Sequence, residues 1–495
     1  MPPNPRLPVL IGGGQVNQRD ADGLEPVDLL VEAARRGAAD TGVADPSGLL
    51  AALDTISVVQ LLSWRYRDPA ALVADRVGAR PRSTVYSAAG GNMPQKLVNR
   101  AAREIQEGRA DLVLVGGAEA WRARMALRAD NGRRPDWTVQ PDDVTPTVVV
   151  GRDTPLAHPA EMARGLMMPV QHYPLFESAL RAAAGRSVED HNFRIAALWS
   201  RFSAVAATNP DAWIRRRYSA EEIRTPGPDN RMIGFPYPKL MNSNNSVEQG
   251  AAVILCSVER ARALGVPGDR WVFPWAGTDL QDTDFVSHRP TLAGSPAIRV
   301  GGKGGAGVGR AGGGRRGPRR PLFLLPSAVQ VAATELGLPR PPLTVTGGLS
   351  FAGGPWNNYV THALATMTRV LREDAGTVGL CTANGGFLTK HAFGVYSTAP
   401  PPSGSFRWSS PQGEVDSAGT VALREEWDGP VTVEAATVMH ARTGEPENGI
   451  VAVRTPEGER AWGTSGDLDT LAAIETTETV GAGGHLSGDG TFLLA

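Results

Sequence analysis

One arrangement of parts occurs twice in this chain, and it restricts the possible folds more than any other feature. The first copy, in 83–119, reads as a Gly90-Gly91 turn, a helix from about Pro94 to Glu107, a Gly108 stop, and an apolar strand, Leu112-Val113-Leu114-Val115, running into Gly116-Gly117. Proline suits the first turn of a helix, where its missing N–H costs nothing, and glycine supplies the left-handed residue that ends one. The second copy, in 346–392, gives a Gly353-Gly354-Pro355 turn, a helix from about Asn357 to Arg372, a strand through Val378-Gly379-Leu380, and Gly385-Gly386. The turn-to-strand distances are similar, so the two copies read as an internal duplication. Facing each other, they would bring both helix N-termini to one cleft. Free N–H groups and the helix dipole there favour an anion or a thiolate.

The duplicated unit, the GRADLVLVGGAEA strand end, the SNNSVEQGAAVILCS segment and the late GGP and NGG turns together resemble the thiolase superfamily, in particular thiolase-like proteins related to sterol-carrier-protein thiolases with an added C-terminal domain. The resemblance covers nearly the whole chain. It implies an α/β protein with a five-layered α/β/α/β/α fold built from two duplicated halves, an inserted loop domain and a small all-β, OB-like C-terminal domain. The expected boundaries are 1–120 plus 240–270 for the N-terminal half, 121–239 for the loop domain covering coenzyme A, 271–398 for the C-terminal half and 405–495 for the added domain. Coenzyme A or acyl-CoA is the implied ligand or substrate, in lipid metabolism, with no covalently bound cofactor. A fold of this kind does not by itself imply turnover.

Thiolase chemistry needs a cysteine thiolate to attack the thioester, a histidine to activate it and an oxyanion hole for the developing charge. Counting along the motifs, the nucleophile position falls at Gly91, or at Gly90 with one inserted residue, and the histidine position at Gly354. Neither carries a reactive group. The second cysteine has Cys381 as its counterpart, with Thr382 the competing match, and His391 or His362 as the accompanying histidine. A single cysteine at a strand end is, however, most often a small buried hydrophobe. The expected ligand pocket comprises Gly90, Gly91, Asn92, Asn244, Asn245, Ser246, Gly353, Gly354, Pro355, Asn384, Gly385 and Gly386. Three function classes follow: a non-catalytic acyl-CoA-binding scaffold, which the missing nucleophile favours; an acyltransferase of the acetyl-CoA C-acetyltransferase type with an atypical catalytic set including Cys381; and a hydratase or decarboxylase using oxyanion-binding N–H groups near Gly91 and 384–386.

The remaining features bound the choice. A length of 495 residues suggests two to four domains. A formal charge of −1 gives no whole-chain pull toward nucleic acid or membrane. Cys256 and Cys381 are the two cysteines, too few for a disulfide framework or a metal cluster, and they fit a reducing cytosol. No apolar run reaches bilayer length and the N-terminus lacks a signal-peptide pattern, so a cytoplasmic protein is expected. Val9-Leu10-Ile11 before Gly12-Gly13-Gly14 reads as a strand-to-loop turn, because the dinucleotide fingerprint is absent. Ser57 to Leu62 reads as the next strand.

In the middle of the chain, Arg215, Arg216, Arg217, Arg224 and Arg231 match phosphate geometry and equally match a solvated, ion-paired face. His172 and His191 read as structural. The segment 301–320 is half glycine with six basic residues and no acidic one; it is expected to pack poorly and reads as an out-of-frame stretch. Residues 401–495 hold five Arg and no Lys against fifteen acidic residues. Phosphate would repel that domain, so docking on the basic core or a protein partner is expected there, and no nucleic acid.

Overall fold

In the computed structural model, which describes residues 4–20, 23–130, 132–302, 320–321, 325–338 and 343–495, the chain builds two open sheets and one barrel. The first sheet runs Pro8–Asn17, Glu248–Ser257, Leu112–Ala120, Thr55–Val58, Ser83–Ser87 and Val148–Val150. Leu112–Ala120 lies parallel to Thr55–Val58 and antiparallel to Glu248–Ser257. The second sheet repeats the core of this plan. Val378–Gly385 lies parallel to Arg320–Pro321 and antiparallel to Lys390–Ser397, which pairs with Phe273–Gln281.

The layering follows from the side-chain alternation of one strand. Leu112 and Leu114 join the core beneath the outer helices Pro26–Asp40 and Pro69–Val77, with Leu30 and Val73. Val113 and Val115 face the opposite way, joining Leu97 and Val98 of the helix Met93–Gln106 and Val360 and Ala363 of the helix Tyr359–Glu373. A strand covered on both faces can afford no polar alternation, which is why its sequence is a continuous apolar run. The two central helices touch strands of both sheets, and 296–302 with Pro326–Glu335 cover the outside of the second. Five layers result, as the resemblance implies.

Several local expectations change. Gly12 to Gly14 do not form a turn: Pro8–Asn17 runs straight through them. A Cβ at Gly14 would lie 2.1 Å from the Ala33 carbonyl oxygen, so these glycines let the Pro26–Asp40 helix settle onto the strand backbone. The predicted 57–62 strand is Thr55–Val58, and the second helix begins with a 3-10 turn, Trp356–Asn358, before Tyr359. Of the glycine- and arginine-rich 301–320 segment, 303–319 lies outside the described residues, whereas 301–302 close a helix against Phe393 and Leu336.

At the C-terminus, Gly429–His440, Pro446–Arg454 and Arg460–Ser465 form a meander. After the helix Leu468–Thr476, Gly483–Leu486 pairs with the first strand and Phe492–Leu494 with Gly483–Leu486, while a Thr464–Thr491 bridge closes the ring. This is the strand order of an OB-type barrel. The barrel is docked tightly. Arg460, fully buried, is held by Glu434 and donates through Nη1 to the Val286, Ser287 and Arg289 carbonyls at 2.7–3.1 Å. Arg181 of the inserted segment forms a two-bond fork with Glu478. Part of the domain's acidity is therefore used inside the chain, as expected of docking on a basic core.

Candidate functional site

The two copied turns meet where the central helices start. Gly90 N–H donates to Asn357 Oδ1 at 3.0 Å, and Asn357 Nδ2 donates to the Gln60 carbonyl at 3.0 Å, tying the halves together across the seam. Beside that seam lies a cavity of about 280 Å³. Its floor is Gly90, Gly91 and the strand end Asn384, Gly385 and Gly386; Asn242, Ser243 and Asn245 form one polar edge. The inserted segment closes it with Leu156, Met167, Met168, Val170 and Tyr173. Apolar walls with a few convergent polar groups suit a small organic ligand.

The chemistry of the lining is restricted. No Asp, Glu, His, Lys, Arg or Cys lines this cavity among the described residues; its titratable groups are Tyr173 and Tyr359. Burial pushes the Tyr173 phenol up to about 12 and raises Tyr359 further, so both stay protonated. Tyr173 accepts from Asn384 Nδ2 at 2.9 Å. Asn384 Oδ1 and Trp356 Nε1 are buried without hydrogen-bond partners, leaving one acceptor and one donor free for a ligand amide. Trp356 holds φ +46, an uncommon conformation for an aromatic residue that costs on the order of 1–2 kcal/mol.

Of the residues predicted to line the pocket, Gly90, Gly91, Asn245, Asn384, Gly385 and Gly386 do so; Asn92, Asn244, Ser246, Gly353, Gly354 and Pro355 do not. Asn92 is buried and lines a neighbouring polar cleft with Lys96 and His391. Asn244 acts through its backbone, bonding Leu349 O and Gly354 N, and Ser246 is exposed. A Cβ on Gly354 would lie 2.1 Å from Ser243 Oγ, so the Gly353-Gly354-Pro355 turn sits behind the wall and supports it. None of the five arginines singled out in 215–231 lines the cavity; Arg216 pairs with Glu222 and Arg224 with Glu221 at the surface.

The placement of Cys381 gives no support to a catalytic role. Its thiol is fully buried in the core with Tyr359 and Met367, burial raises it well above the ordinary thiol range, and it lies off the cavity. His391 pairs across the strands with Asn384, three residues along from Cys381, which puts the two on opposite faces and about 10 Å apart. Its Nε2 instead lies 3.3 Å from Asp282 Oδ2 and 3.2 Å from the Leu388 carbonyl. His362 bonds Gln15 Oε1 at 2.9 Å through Nδ1, and burial lowers it to about 3, so it is neutral. His172 stacks on Phe387 and His191 bonds Glu177.

Two buried carboxylates flank the seam. Glu119 ends the first-half strand and accepts from the Leu62 and Ser63 amides at 2.7 Å; burial outweighs these donors and pushes it up to about 7. Asp282 follows Phe273–Gln281 in the second half. Burial would raise it, but Arg289 at 3.1 Å, His391 and Ser295 together hold it at about 2. The sequence reading missed Trp356, Asn357 and Tyr359, although the polar pair in WNNY straight after the GGP turn was a usable signal. For Met167, Met168 and Tyr173 the sequence held none, because the inserted segment reaches the site only through the tertiary fold.

A duplicated, five-layered core with paired helix N-termini at one cavity defines a thiolase-type protein. Residues 411–491 match the family model "Thiolase-like protein type 1 additional C-terminal domain". The crystal structure of a monomeric SCP2-thiolase-like protein type 1 from Mycobacterium smegmatis is 30% identical, with TM-score 0.83, over 99% of this chain and 100% of that one. The chain belongs to this SCP2-thiolase-like type 1 family of the thiolase superfamily. At the level of fold alone, it also resembles an Ltp2-ChsH2(DUF35) aldolase (18% identity, TM-score 0.58, 79% of this chain and 98% of that one) and an acetyl-CoA acetyltransferase from Syntrophomonas wolfei (14%, 0.52, 79% and 99%). No curated protein matches the sequence.

Proposed function

We propose that the protein binds coenzyme A or an acyl-CoA in the seam cavity and carries out little or no thiolysis or condensation. One observation carries this reading: among the described residues the cavity lining supplies no thiol, imidazole, carboxylate or amine, only apolar walls, amide groups, the Ser243 hydroxyl with no base beside it in the lining, and two protonated phenols. The turn at the nucleophile position is also closed sterically, since a Cβ on Gly91 would lie 2.5 Å from the Asn384 carbonyl oxygen. Losing a nucleophile and its base leaves only positioning and hydrogen-bond donors to accelerate a reaction. The unpaired Asn384 Oδ1 and Trp356 Nε1 fit an amide such as those of a pantetheine arm.

Calorimetric titration with coenzyme A and acetyl-CoA, beside a thiolysis assay of wild type and Cys381→Ala, tests the proposal. Saturable binding without turnover, unchanged by the substitution, is expected. Turnover abolished by Cys381→Ala would establish the alternative, an acyltransferase with an atypical catalytic set. The acidic outer face of the barrel, including exposed Glu425 and Glu426, is the surface a protein partner would meet.

A further inference from the structure

Leu62 lines both the cavity and a second, larger groove of about 950 Å³. Six arginines line this groove, Arg65, Arg67, Arg124, Arg128, Arg133 and Arg134, and among the described residues no acidic one joins its lining. Their engagement is unequal. Arg67 pairs with Asp142 and Arg133 with Asp130, while Arg124 donates to the Leu62 carbonyl at 3.1 Å and lies over the Trp121 ring. The side chains of Arg65, Arg128 and Arg134 are exposed and make no ion pair or hydrogen bond among the described residues. Three uncommitted guanidinium groups around one concavity repel one another, and a polyanion would relieve that repulsion.

One side of the groove, 60–68, is firmly held. Glu119 holds the Leu62 and Ser63 amides, Ser87 Oγ accepts from Gln60 N–H at 3.1 Å, Tyr86 OH accepts from Leu61 N–H at 3.2 Å, and Gln140 Oε1 accepts from Arg67 and Asp68 N–H. Trp64 is fixed edge-on to Trp137 and donates to the Thr138 carbonyl at 2.9 Å. On that side a ligand would meet a backbone already ordered, and the binding cost falls on the exposed arginine side chains. One acceptor in the wall, Gln60 Oε1, is buried and unpaired. The groove has the size of a small-molecule site, and guanidinium forks match phosphate oxygens.

We propose that this arginine-lined groove binds a polyphosphate-bearing small molecule, at a site separate from the seam cavity. The ligand is either a nucleoside polyphosphate, with its base on the Trp64 and Tyr86 side of the groove, or a free polyphosphate. The test is calorimetric titration of the full-length protein with inorganic tripolyphosphate and with ATP. Saturable binding of either is expected, weakened about tenfold by raising salt from 50 to 500 mM. Tighter binding of ATP would assign the nucleoside form and equal binding the free polyphosphate.

The triple variant Arg65→Glu, Arg128→Glu, Arg134→Glu should lose binding by at least about tenfold, while charge reversal at Arg215, Arg216 and Arg217 leaves it unchanged. If the triple variant fails to fold, Arg65→Gln, Arg128→Gln and Arg134→Gln singly should each cost about threefold, the weight of one exposed ion pair. Absence of saturable binding, equal binding by the groove variants, or loss on reversing the 215–217 arginines would overturn the proposal. Tripolyphosphate has no pantetheine arm, so either result is independent of the coenzyme A reading.

Discussion

The two halves of the molecule carry the same parts at the seam and hold them differently. In the first half a Cβ on the turn glycine Gly91 would strike backbone, the Asn384 carbonyl oxygen at 2.5 Å; in the second, a Cβ on Gly354 would strike a side chain, Ser243 Oγ at 2.1 Å. The first clash can be relieved only by moving a strand end, the second by rotating one hydroxyl. Each half also buries a carboxylate near the seam, but Glu119 is met by the Leu62 and Ser63 amides, the Ser63 hydroxyl and a distant arginine, whereas Asp282 has Arg289 against it. The two copies keep the order of their parts, turn, helix and strand, and each half settles its buried charge and its spare volume in its own way.

The largest expected effect breaks the second half's charge arrangement. Asp282→Asn would leave Arg289, itself fully buried, without its counter-ion, and should cost about 3–5 kcal/mol. Urea denaturation of the variant beside wild type measures it, and a loss below about 1 kcal/mol would show that the Leu388 and Gly294 carbonyls alone satisfy the guanidinium.

Next is the pH response of the first half. Glu119 is raised from 4.5 to about 7, so below pH 4.5 folded and unfolded chains both hold the proton and nothing is lost. Between 4.5 and 7 only the unfolded chain releases it, and stability should fall by about 3 kcal/mol as pH rises. Glu119→Gln should flatten that slope in denaturation midpoints measured across the interval. Asp282 predicts the opposite sign: its contribution is complete above 3.8 and is lost as pH falls toward 2.

Smaller effects sharpen the contrast between the turns. Gly91→Ala should cost about 1–3 kcal/mol, because the overlap is with backbone. Gly354→Ala should cost less, and adding Ser243→Ala should return most of that loss, a coupling that a double-mutant cycle reads directly. If Gly91→Ala proves neutral, the strand end at Asn384 moves freely and the nucleophile position is open to substitution.

Much of the architecture was legible in advance. The helix predicted from about Pro94 to Glu107 is Met93–Gln106, and the apolar run at 112–115 is the start of Leu112–Ala120. Turn glycines, helix starts and continuous apolar strands are written locally, so a linear reading finds them. The Gly12–Gly14 run was misread because a glycine needed for close helix approach looks the same as one needed for a turn. Cys381 and His391 sit within eleven residues of each other, yet strand alternation sends them to opposite faces, and only pairing register reveals it. The lining residues from the inserted segment carried no local mark.

The chain by itself determined the repeat, the layered α/β class, the extra acidic β domain and the absence of a cysteine or histidine at the two copied turns. These depend on residue type and short-range spacing. Only the tertiary structure decided which of the candidate polar groups share a cavity, which carboxylate meets a cation, and that the arginines of 65–67 and 124–134 converge on one groove. Such convergence joins residues some sixty positions apart and is set by how sheets and helices pack, a matter of distances that no local pattern encodes.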